Sequence, residues 1–284
     1  MSKQKLSKHR HISFTAHYTG YIWYQMGISH SSLATAKGKS LAYITHPIES
    51  LAEKYIGGSM RTTLKIRHTM LDNQLIQLIQ HYPNLQVLEI AAGLSPRGWW
   101  FRKHYPKINY RELDLPEMAQ TKQQALKQIE QNSPDVLSAD LFTPDFQTAF
   151  DEFDLQRPLV IISEGLINYF DKTLLKKLLQ SIVLYSRDFQ IVHYLTDLYP
   201  EPIQNKLAKV IWNSSKLLKL MSRSAFSFHF IDPAEAQHFF QDNGFDKVDV
   251  IQPAVYFNSI LKSENLDSDK HLGDLVWMVH AQSK

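Results

Sequence analysis

The feature that most constrains the fold is an alternation, from residue 86 onward, of short apolar runs with amphipathic helical stretches. This order is typical of a parallel sheet covered by helices on both faces, because parallel strands need long crossover connections. Residues 174–184 illustrate the helical type, with apolar side chains spaced by three and four. The alternation predicts an α/β fold with five strands, at 86–90, 108–113, 136–139, 159–162 and 189–193.

The remaining segments predict additions to this sheet. The chain has 284 residues, a length that α/β folds often reach as one compact unit. Residues 1–80 lack the alternation but carry aromatic side chains, so we predict a helical N-terminal cap on a core of residues 81–284. Residues 200–230 interrupt the pattern and predict an inserted helical lid. Asp232 and Pro233 then begin a further helix, and strand-like runs at 248–251 and 275–280 close the chain.

Composition excludes several classes of function. The absence of cysteine removes disulfides, thiolate zinc sites and cysteine nucleophiles. The formal charge is only +3, and the basic residues are scattered rather than gathered in the stripe of a nucleic-acid binder. No run approaches the roughly 20 apolar residues of a membrane span. We therefore expect a cytoplasmic protein that binds neither nucleic acid nor membrane, and composition leaves its oligomeric state open.

The loop after the first strand is the first place to look for a ligand. In open α/β sheets ligands bind beyond the carboxyl ends of the strands. A dinucleotide site would have three glycines here, but the loop keeps only Gly93 and has Ala91 and Pro96 at the other two positions. It suits a ligand without phosphates, such as S-adenosylmethionine, whose amino-acid end needs one close approach to backbone. The alternative is that Gly93 only makes a tight turn.

Three acidic residues follow the next predicted strands. Asp114 lies 21 positions after Gly93, a spacing that suits hydrogen bonds to a ribose diol; alternatively it caps the helix that begins at Pro116. Asp140 follows the third strand, where it can contact an adenine edge or be a solvated loop residue. Glu164 follows the buried fourth strand, where an unpaired carboxylate would be costly. A sulfonium amino acid would supply Glu164 with a cationic partner.

Four sequence pieces together resemble the leucine carboxyl methyltransferase family and its bacterial relatives, described as O-methyltransferases of polyketide biosynthesis. Each piece is weak alone, but their order and spacing are specific. The resemblance extends from residue 61 to about 170, and more loosely to the C-terminus. The pieces are RHTMLD at 67–72, VLEIAAGLSPR at 87–97, ELDLPE at 112–117 with Lys122, and SEGL at 163–166 with Tyr169.

The resemblance implies a Rossmann-like class I methyltransferase that uses S-adenosylmethionine. It implies that Arg67 clamps the cofactor carboxylate, that Gly93 approaches the methionine part and that Glu164 lies near the amino group. Asp114 would hold the ribose. The full set of implied cofactor contacts is Arg67, Glu89, Ala91, Gly93, Asp114, Leu115, Asp140, Leu141 and Glu164.

Two departures from the family pattern concern the glycine loop. Ala91 stands where a glycine is usual, and Ser95-Pro96 stands where an aspartate-threonine pair is usual. An alternative function is therefore a non-catalytic protein that binds S-adenosylmethionine on the same fold. A nicotinamide oxidoreductase is disfavoured by the missing glycines, and an RNA methyltransferase by the scattered charge.

The methyl acceptor is predicted to be a carboxylate or hydroxyl group of a small molecule, or an exposed carboxylate. Methyl transfer from a sulfonium is an in-line displacement that relies on alignment, so no metal is expected. A carboxylate is already anionic, whereas a hydroxyl needs a base. His193, placed at the end of the fifth strand, is the candidate base; alternatively it bonds only to backbone. Tyr194 and Arg223 are candidate substrate contacts, the latter within the predicted lid.

Overall fold

The computed structural model describes residues 12–44, 60–201, 227–260 and 276–284. In these ranges seven strands form one sheet: β1 Gln86–Ile90, β2 Asn109–Asp114, β3 Leu137–Ser138, β4 Leu159–Ile162, β5 Val192–Leu198, β6 Lys247–Ile251 and β7 Trp277–Ser283. Their order is β3-β2-β1-β4-β5-β7-β6. The first five are mutually parallel, whereas β7 runs antiparallel to both β5 and β6. The predicted α/β fold is confirmed.

The helices of the described ranges alternate with these strands. Their bounds are α1 Ile12–Gln25, α2 over 36–44, α3 Met60–His81, α4 Arg97–His104, α5 Pro116–Leu126, α6 Asp145–Thr148, α7 Lys172–Ser186, α8 Pro233–Gln241 and α9 Pro253–Ile260. Side-chain caps begin two of them: Asp171 accepts from the backbone of Leu174, and Asp232 from that of Glu235. No helix in the described ranges combines the length and hydropathy that crossing a bilayer requires.

Both faces of the sheet are covered, as the buried strands require. Leu88 and Ile90 of β1 belong to the core that includes α7 and α8. Val87 points to the opposite face, where it belongs to the core formed with Leu71 and Leu75 of α3. Helix α3, part of which the sequence analysis assigned to the N-terminal cap, therefore packs on the sheet itself. The division into a cap and a core at residue 80 stays a prediction, and the predicted lid falls mainly on residues 202–226, outside the described residues.

The predicted bounds of the fifth strand are wrong. The strand runs over Val192–Leu198 rather than 189–193, and every one of its residues is buried. The sequence predicts strands from runs of apolar residues, and the polar side chains of His193, Thr196 and Asp197 interrupt such a run in this strand. Each has a tertiary partner instead, such as the backbone N–H of Gly165 that donates to Oδ1 of Asp197, although Nε2 of His193 and Oδ2 of Asp197 have no hydrogen-bond partner among the described residues. His193 therefore lies at the amino end of β5, and Asp197 near its carboxyl end.

Candidate functional site

A pocket opens at the carboxyl edge of the sheet, where the strand order reverses at β1. Its empty space is about 510 Å³, a figure that includes space open to solvent. Six of the predicted cofactor residues line it, from the ends of β1, β2 and β3. Its lining is Ala16, Ala91, Gly93, Leu113, Asp114, Leu115, Ala139, Asp140, Leu141, Phe142, Leu166 and Phe170.

The loop after β1 makes the floor of this pocket through two residues in the left-handed region. Ala91 has a φ of +50° and Gly93 a φ of +49°. Only glycine adopts this conformation without steric cost, which explains why a glycine would suit position 91. The buried Lys122 donates from Nζ to the carbonyl of Ala92 at 3.1 Å and pairs with Glu112 at 2.6 Å. The loop keeps its tight turn although Ala91 replaces a glycine.

Asp114 fastens this loop to the end of β2. Its Oδ2 accepts from the backbone N–H of Gly93 at 2.6 Å, and its Oδ1 from that of Leu115 at 2.7 Å. Leu115, rather than Asp114, occupies the N-cap position of α5. Burial raises the pKa of Asp114, although the two backbone donors act in the opposite direction. A carboxylate with two backbone donors still has acceptor capacity for a ligand hydroxyl.

The opposite wall is apolar and aromatic, with one carboxylate at its rim. Phe142 and Phe170 meet edge to face, with ring centroids 5.0 Å apart, beside the buried Leu141. Asp140 accepts from the backbone N–H of Phe142 at 3.0 Å, so its carboxylate is fixed where the wall begins. Such a wall suits a flat heteroaromatic ring with polar edges.

Helix α1 covers the loop side of the pocket. A methyl group on Gly20 would lie 2.7 Å from Cβ of Leu94, and one on Gly93 would lie 3.0 Å from Cβ of Ala16. The small residues therefore let α1 approach the loop closely. Thr15 of α1 also accepts a hydrogen bond at 3.1 Å from the hydroxyl of Tyr169, which follows β4.

Beyond Gly93, a buried ionic network surrounds Glu164 at the end of β4. Its Oε1 accepts from Nε of Arg67 at 2.8 Å, and its Oε2 lies 2.6 Å from Nη2 of Arg97 and 2.8 Å from Nδ1 of His68. Burial opposes ionisation of this side chain, but His68, Arg97 and Arg67 outweigh it and hold its pKa well below the ordinary range. The expectation that Glu164 needs cationic partners is met by the protein's own residues.

The comparisons with known proteins agree with this architecture. A search of curated proteins found no significant match. The family model described as leucine carboxyl methyltransferase matches residues 30–183, which is more than half of the chain. The chain belongs to the leucine carboxyl methyltransferase family. The predicted class of enzyme, a methyltransferase that depends on S-adenosylmethionine, is thereby confirmed at the level of family and fold.

One solved structure supports the fold, and two others are more distantly similar. A protein of Thermobifida fusca described as a methyltransferase aligns over 88% of this chain and 89% of its own, at 15% identity with a TM-score of 0.62. A Nostoc punctiforme protein described as an O-methyltransferase is 15% identical over 75% of this chain and 57% of its own, with a TM-score of 0.47. Human N-acetylserotonin methyltransferase, in complex with S-adenosylmethionine, is 12% identical over 82% and 57%, with a TM-score of 0.44. Only the first likeness is strong enough to support the fold.

Arg97 links the family's glycine loop to the network. Its side chain is fully buried and contacts Asp72 at 2.5 Å, Glu89 at 3.0 Å and Glu164 at 2.6 Å. Glu89 also accepts from the hydroxyl of Tyr110 at 3.0 Å. The resemblance implied that Glu89 contacts the cofactor, but Glu89 is not among the residues that line the pocket. It lies beneath α4 instead, where it holds Arg97.

Two residues of this edge were missed by the sequence analysis. Oδ1 of Asp197 accepts from the backbone N–H of Gly165 at 2.6 Å, and its Oδ2 lies 3.6 Å from Nη1 of Arg67. The hydroxyl of Tyr199 accepts from the same Nη1 at 3.2 Å. An acidic residue at the carboxyl end of a strand is the signal that pointed to Asp140 and Glu164, and it would have pointed to Asp197 as well, had the bounds of the fifth strand been correct.

The structure places the candidate base His193 and the candidate substrate contact Tyr194 away from the pocket, and it does not describe Arg223. His193 lies at the amino end of β5, where its Nδ1 is 3.0 Å from Nε2 of His280, and this corrects its predicted place beside the ligand. The side chain of Tyr194 is fully buried, with its hydroxyl 2.9 Å from Oγ of Ser163, so it does not face the pocket either. Arg223 lies outside the described residues.

Proposed function

We propose that this protein transfers a methyl group from S-adenosylmethionine to an oxygen atom of its acceptor. The observation that carries the proposal is the pocket at the carboxyl edge, where carboxylates and an apolar aromatic wall face a loop with no phosphate cradle. Asp114 would hold the ribose diol, and Leu141 with Phe142 would contact the adenine. Arg67 and Glu164, the residues implied for the amino-acid end, are not among the residues that line the pocket.

The amino-acid end of the cofactor fits beside Gly93 and Arg67. A methyl group on Gly165 would lie 3.0 Å from both Nη atoms of Arg67, so the guanidinium lies directly against that loop. Burial opposes the charge on Arg67, but Tyr199, Asp197 and Glu164 outweigh it and raise its pKa further. Arg67 is therefore a fixed cation suited to a ligand carboxylate.

The cofactor supplies an activated methyl group on a positively charged sulfur. The residues of the pocket would align it with an acceptor and exclude water, which is enough for an in-line displacement. Asp114 and Asp140 are the acidic side chains among the described lining residues, and both are assigned to the cofactor. We therefore propose a carboxylate acceptor over a hydroxyl, because an anionic oxygen needs no base.

The test uses S-adenosylmethionine labelled in its methyl group, the purified full chain and a metabolite extract. Mild alkali hydrolyses a methyl ester to volatile methanol but leaves a methyl ether intact. Alkali-labile label supports the carboxylate acceptor. Alkali-stable label would refute that part of the proposal, and cofactor binding without transfer to any acceptor fraction would favour the non-catalytic alternative. Ala139→Leu, which fills the pocket, is the matched control and should give no product.

A further inference from the structure

Asn168 joins three stretches of chain through one buried side chain. Its Nδ2 donates to the backbone carbonyls of Tyr199 at 3.0 Å and Ser227 at 2.8 Å, and its Oδ1 accepts from the backbone N–H of Tyr199 at 2.9 Å. The backbone N–H of Ser227 donates in turn to the carbonyl of Asn168 at 2.7 Å. Asn168 is 4% exposed, and its side chain uses both amide protons and its oxygen. The loop after β4, the end of β5 and the stretch before α8 are therefore held together at this residue.

The amide of Asn168 takes the place of a neighbouring strand beyond the paired part of the sheet. Strands β4 and β5 pair as far as Ile162 and Leu195, and Tyr199 follows the last residue of β5. Buried backbone groups need partners, and an amide that bonds both the N–H and the carbonyl of Tyr199 supplies them as a strand would. Asn168 is 31 positions from Tyr199 and 59 from Ser227, so no local sequence pattern indicates this role.

The loop that carries Asn168 also supplies part of the pocket wall. Leu166 and Phe170 line the pocket, and each lies two positions from Asn168. Between them the chain makes a single 3₁₀ turn, Ile167–Tyr169. A turn of three residues has few hydrogen bonds of its own and poor hydrogen-bond geometry. The bonds of Asn168 to the two other stretches therefore determine where this part of the wall stands.

We propose that Asn168 is a positioning residue of the cofactor pocket, which holds Leu166 and Phe170 against the bound ligand. This inference rests on the proposed function, because the probe is S-adenosylhomocysteine. Asn168 itself is not among the residues that line the pocket, so it acts through the wall. Loss of its hydrogen bonds weakens ligand binding, and the size of that loss depends on Phe170.

The first test is the affinity of Asn168→Asp for S-adenosylhomocysteine, measured by calorimetry at pH 8 and at pH 5.5. The new carboxylate keeps an acceptor for the N–H of Tyr199 but turns an oxygen toward two carbonyls. Binding at pH 8 should therefore be roughly 10-fold weaker than for the unmodified chain. Burial raises the pKa of such a carboxyl group, and its protonated form donates to one of the two carbonyls. The difference should shrink to within about 3-fold at pH 5.5.

The readout is the ratio of the two affinities, because His229 titrates in both proteins and hydrogen-bonds to the backbone of Ile167 and Phe170. Asn243→Asp is the matched control. Asn243 is 6% exposed, donates to the carbonyl of Phe239 at 2.7 Å and is not among the residues that line the pocket. This control should bind as the unmodified chain does at both pH values. A ratio near one for Asn168→Asp at pH 8, or a ratio that does not change with pH, would overturn the inference.

The second test is a double-mutant cycle with Phe170→Leu, which changes the wall itself. In the Phe170→Leu background, Asn168→Asp should weaken binding by only about 3-fold, instead of roughly 10-fold, because the contact that it positions is already reduced. Additive losses would show that Asn168 has a structural role alone and would refute the inference. Asn168→Ala removes the same hydrogen bonds without adding a charge, and it replaces Asn168→Asp in the cycle if the latter does not fold.

If neither variant folds, the crystal structure of the unmodified chain with S-adenosylhomocysteine decides. Leu166 or Phe170 should lie within about 4.5 Å of the ligand, and a ligand that touches neither would contradict the inference. These outcomes are distinguishable from failure of the proposed function. If the unmodified chain binds neither S-adenosylmethionine nor S-adenosylhomocysteine, the proposed function fails. If it binds S-adenosylhomocysteine and the Asn168 variants bind equally well, only the role of Asn168 fails.

Discussion

At the scale of single residues, spacing identified the pocket better than it identified the ionic network. Gly93 and Asp114 stand 21 positions apart, and their hydrogen bond of 2.6 Å now joins the ends of two neighbouring strands. Asp197 could not be found in the same way, because polar side chains obscured the strand that carries it. The role of Glu164 was predicted only in part, since its partners Arg67 and Arg97 come from distant positions in the chain.

Ala91 is a residue whose substitution should stabilise the protein. An alanine with a φ of +50° is strained by about 1–2 kcal/mol. Glycine removes this strain but lowers the free energy of unfolding by roughly 0.5–1 kcal/mol, because it increases the conformational entropy of the unfolded chain. Ala91→Gly should therefore raise the free energy of unfolding in urea by about 0.5–1 kcal/mol. Ala92→Gly is the control, because Ala92 has no positive φ and should only lose stability. Equal destabilisation by both changes would contradict the strain assigned to Ala91.

At the scale of elements, alternation predicted the sheet, but tertiary contacts set several of the boundaries. Helix α3 begins at Met60, about ten residues before the apolar periodicity became visible near residue 71. Its first turns carry polar residues such as Arg67 and His68, whose partners lie at the sheet edge. A helix that presents buried ionic side chains does not show an apolar stripe, so its start could not be found by periodicity.

The approach of α4 to β2 depends on Gly98. A methyl group there would lie 2.6 Å from Oε1 and 2.7 Å from Oε2 of Glu112. Burial opposes ionisation of Glu112, but Lys122 and Arg102 outweigh it, lower its pKa and hold the carboxylate in place. Gly98→Ala should therefore reduce the free energy of unfolding in urea by about 1–3 kcal/mol, as overpacking does.

The same substitution should also affect the pocket, because Lys122 supports the carbonyl of Ala92. We expect weaker binding of S-adenosylhomocysteine by Gly98→Ala in calorimetry. Unchanged stability together with unchanged affinity would show that α4 can move away without disturbing the loop.

At the scale of the whole molecule, a histidine pair links stability to pH. His193 is buried, and its Nδ1 lies 3.0 Å from Nε2 of the half-buried His280, which Gln74 of α3 contacts at 3.3 Å. Burial, with His280 and His81 nearby, lowers the pKa of His193 to about 3. Because the unfolded chain takes up the proton near pH 6.5 and the folded chain does not, this contribution to stability is complete above that pH and falls as pH decreases toward 3.

Urea unfolding between pH 7 and pH 5 measures this effect. Over that interval the unmodified protein should lose about 1–2 kcal/mol more than His193→Gln, which cannot take up the proton. Identical pH profiles for the two proteins would show that His193 does not contribute.

The central claim is that the pocket at the carboxyl edge binds S-adenosylmethionine. The most direct measurement is calorimetry of S-adenosylhomocysteine with the unmodified chain, with Ala139→Leu and with Ala36→Leu. Ala139 is 4% exposed and lines the pocket, whereas Ala36 is exposed on α2, so the same substitution fills the site in one protein only. The unmodified chain and Ala36→Leu should bind alike, and Ala139→Leu should lose binding while remaining folded. Absence of binding by the unmodified chain, or equal binding by all three, would contradict the claim.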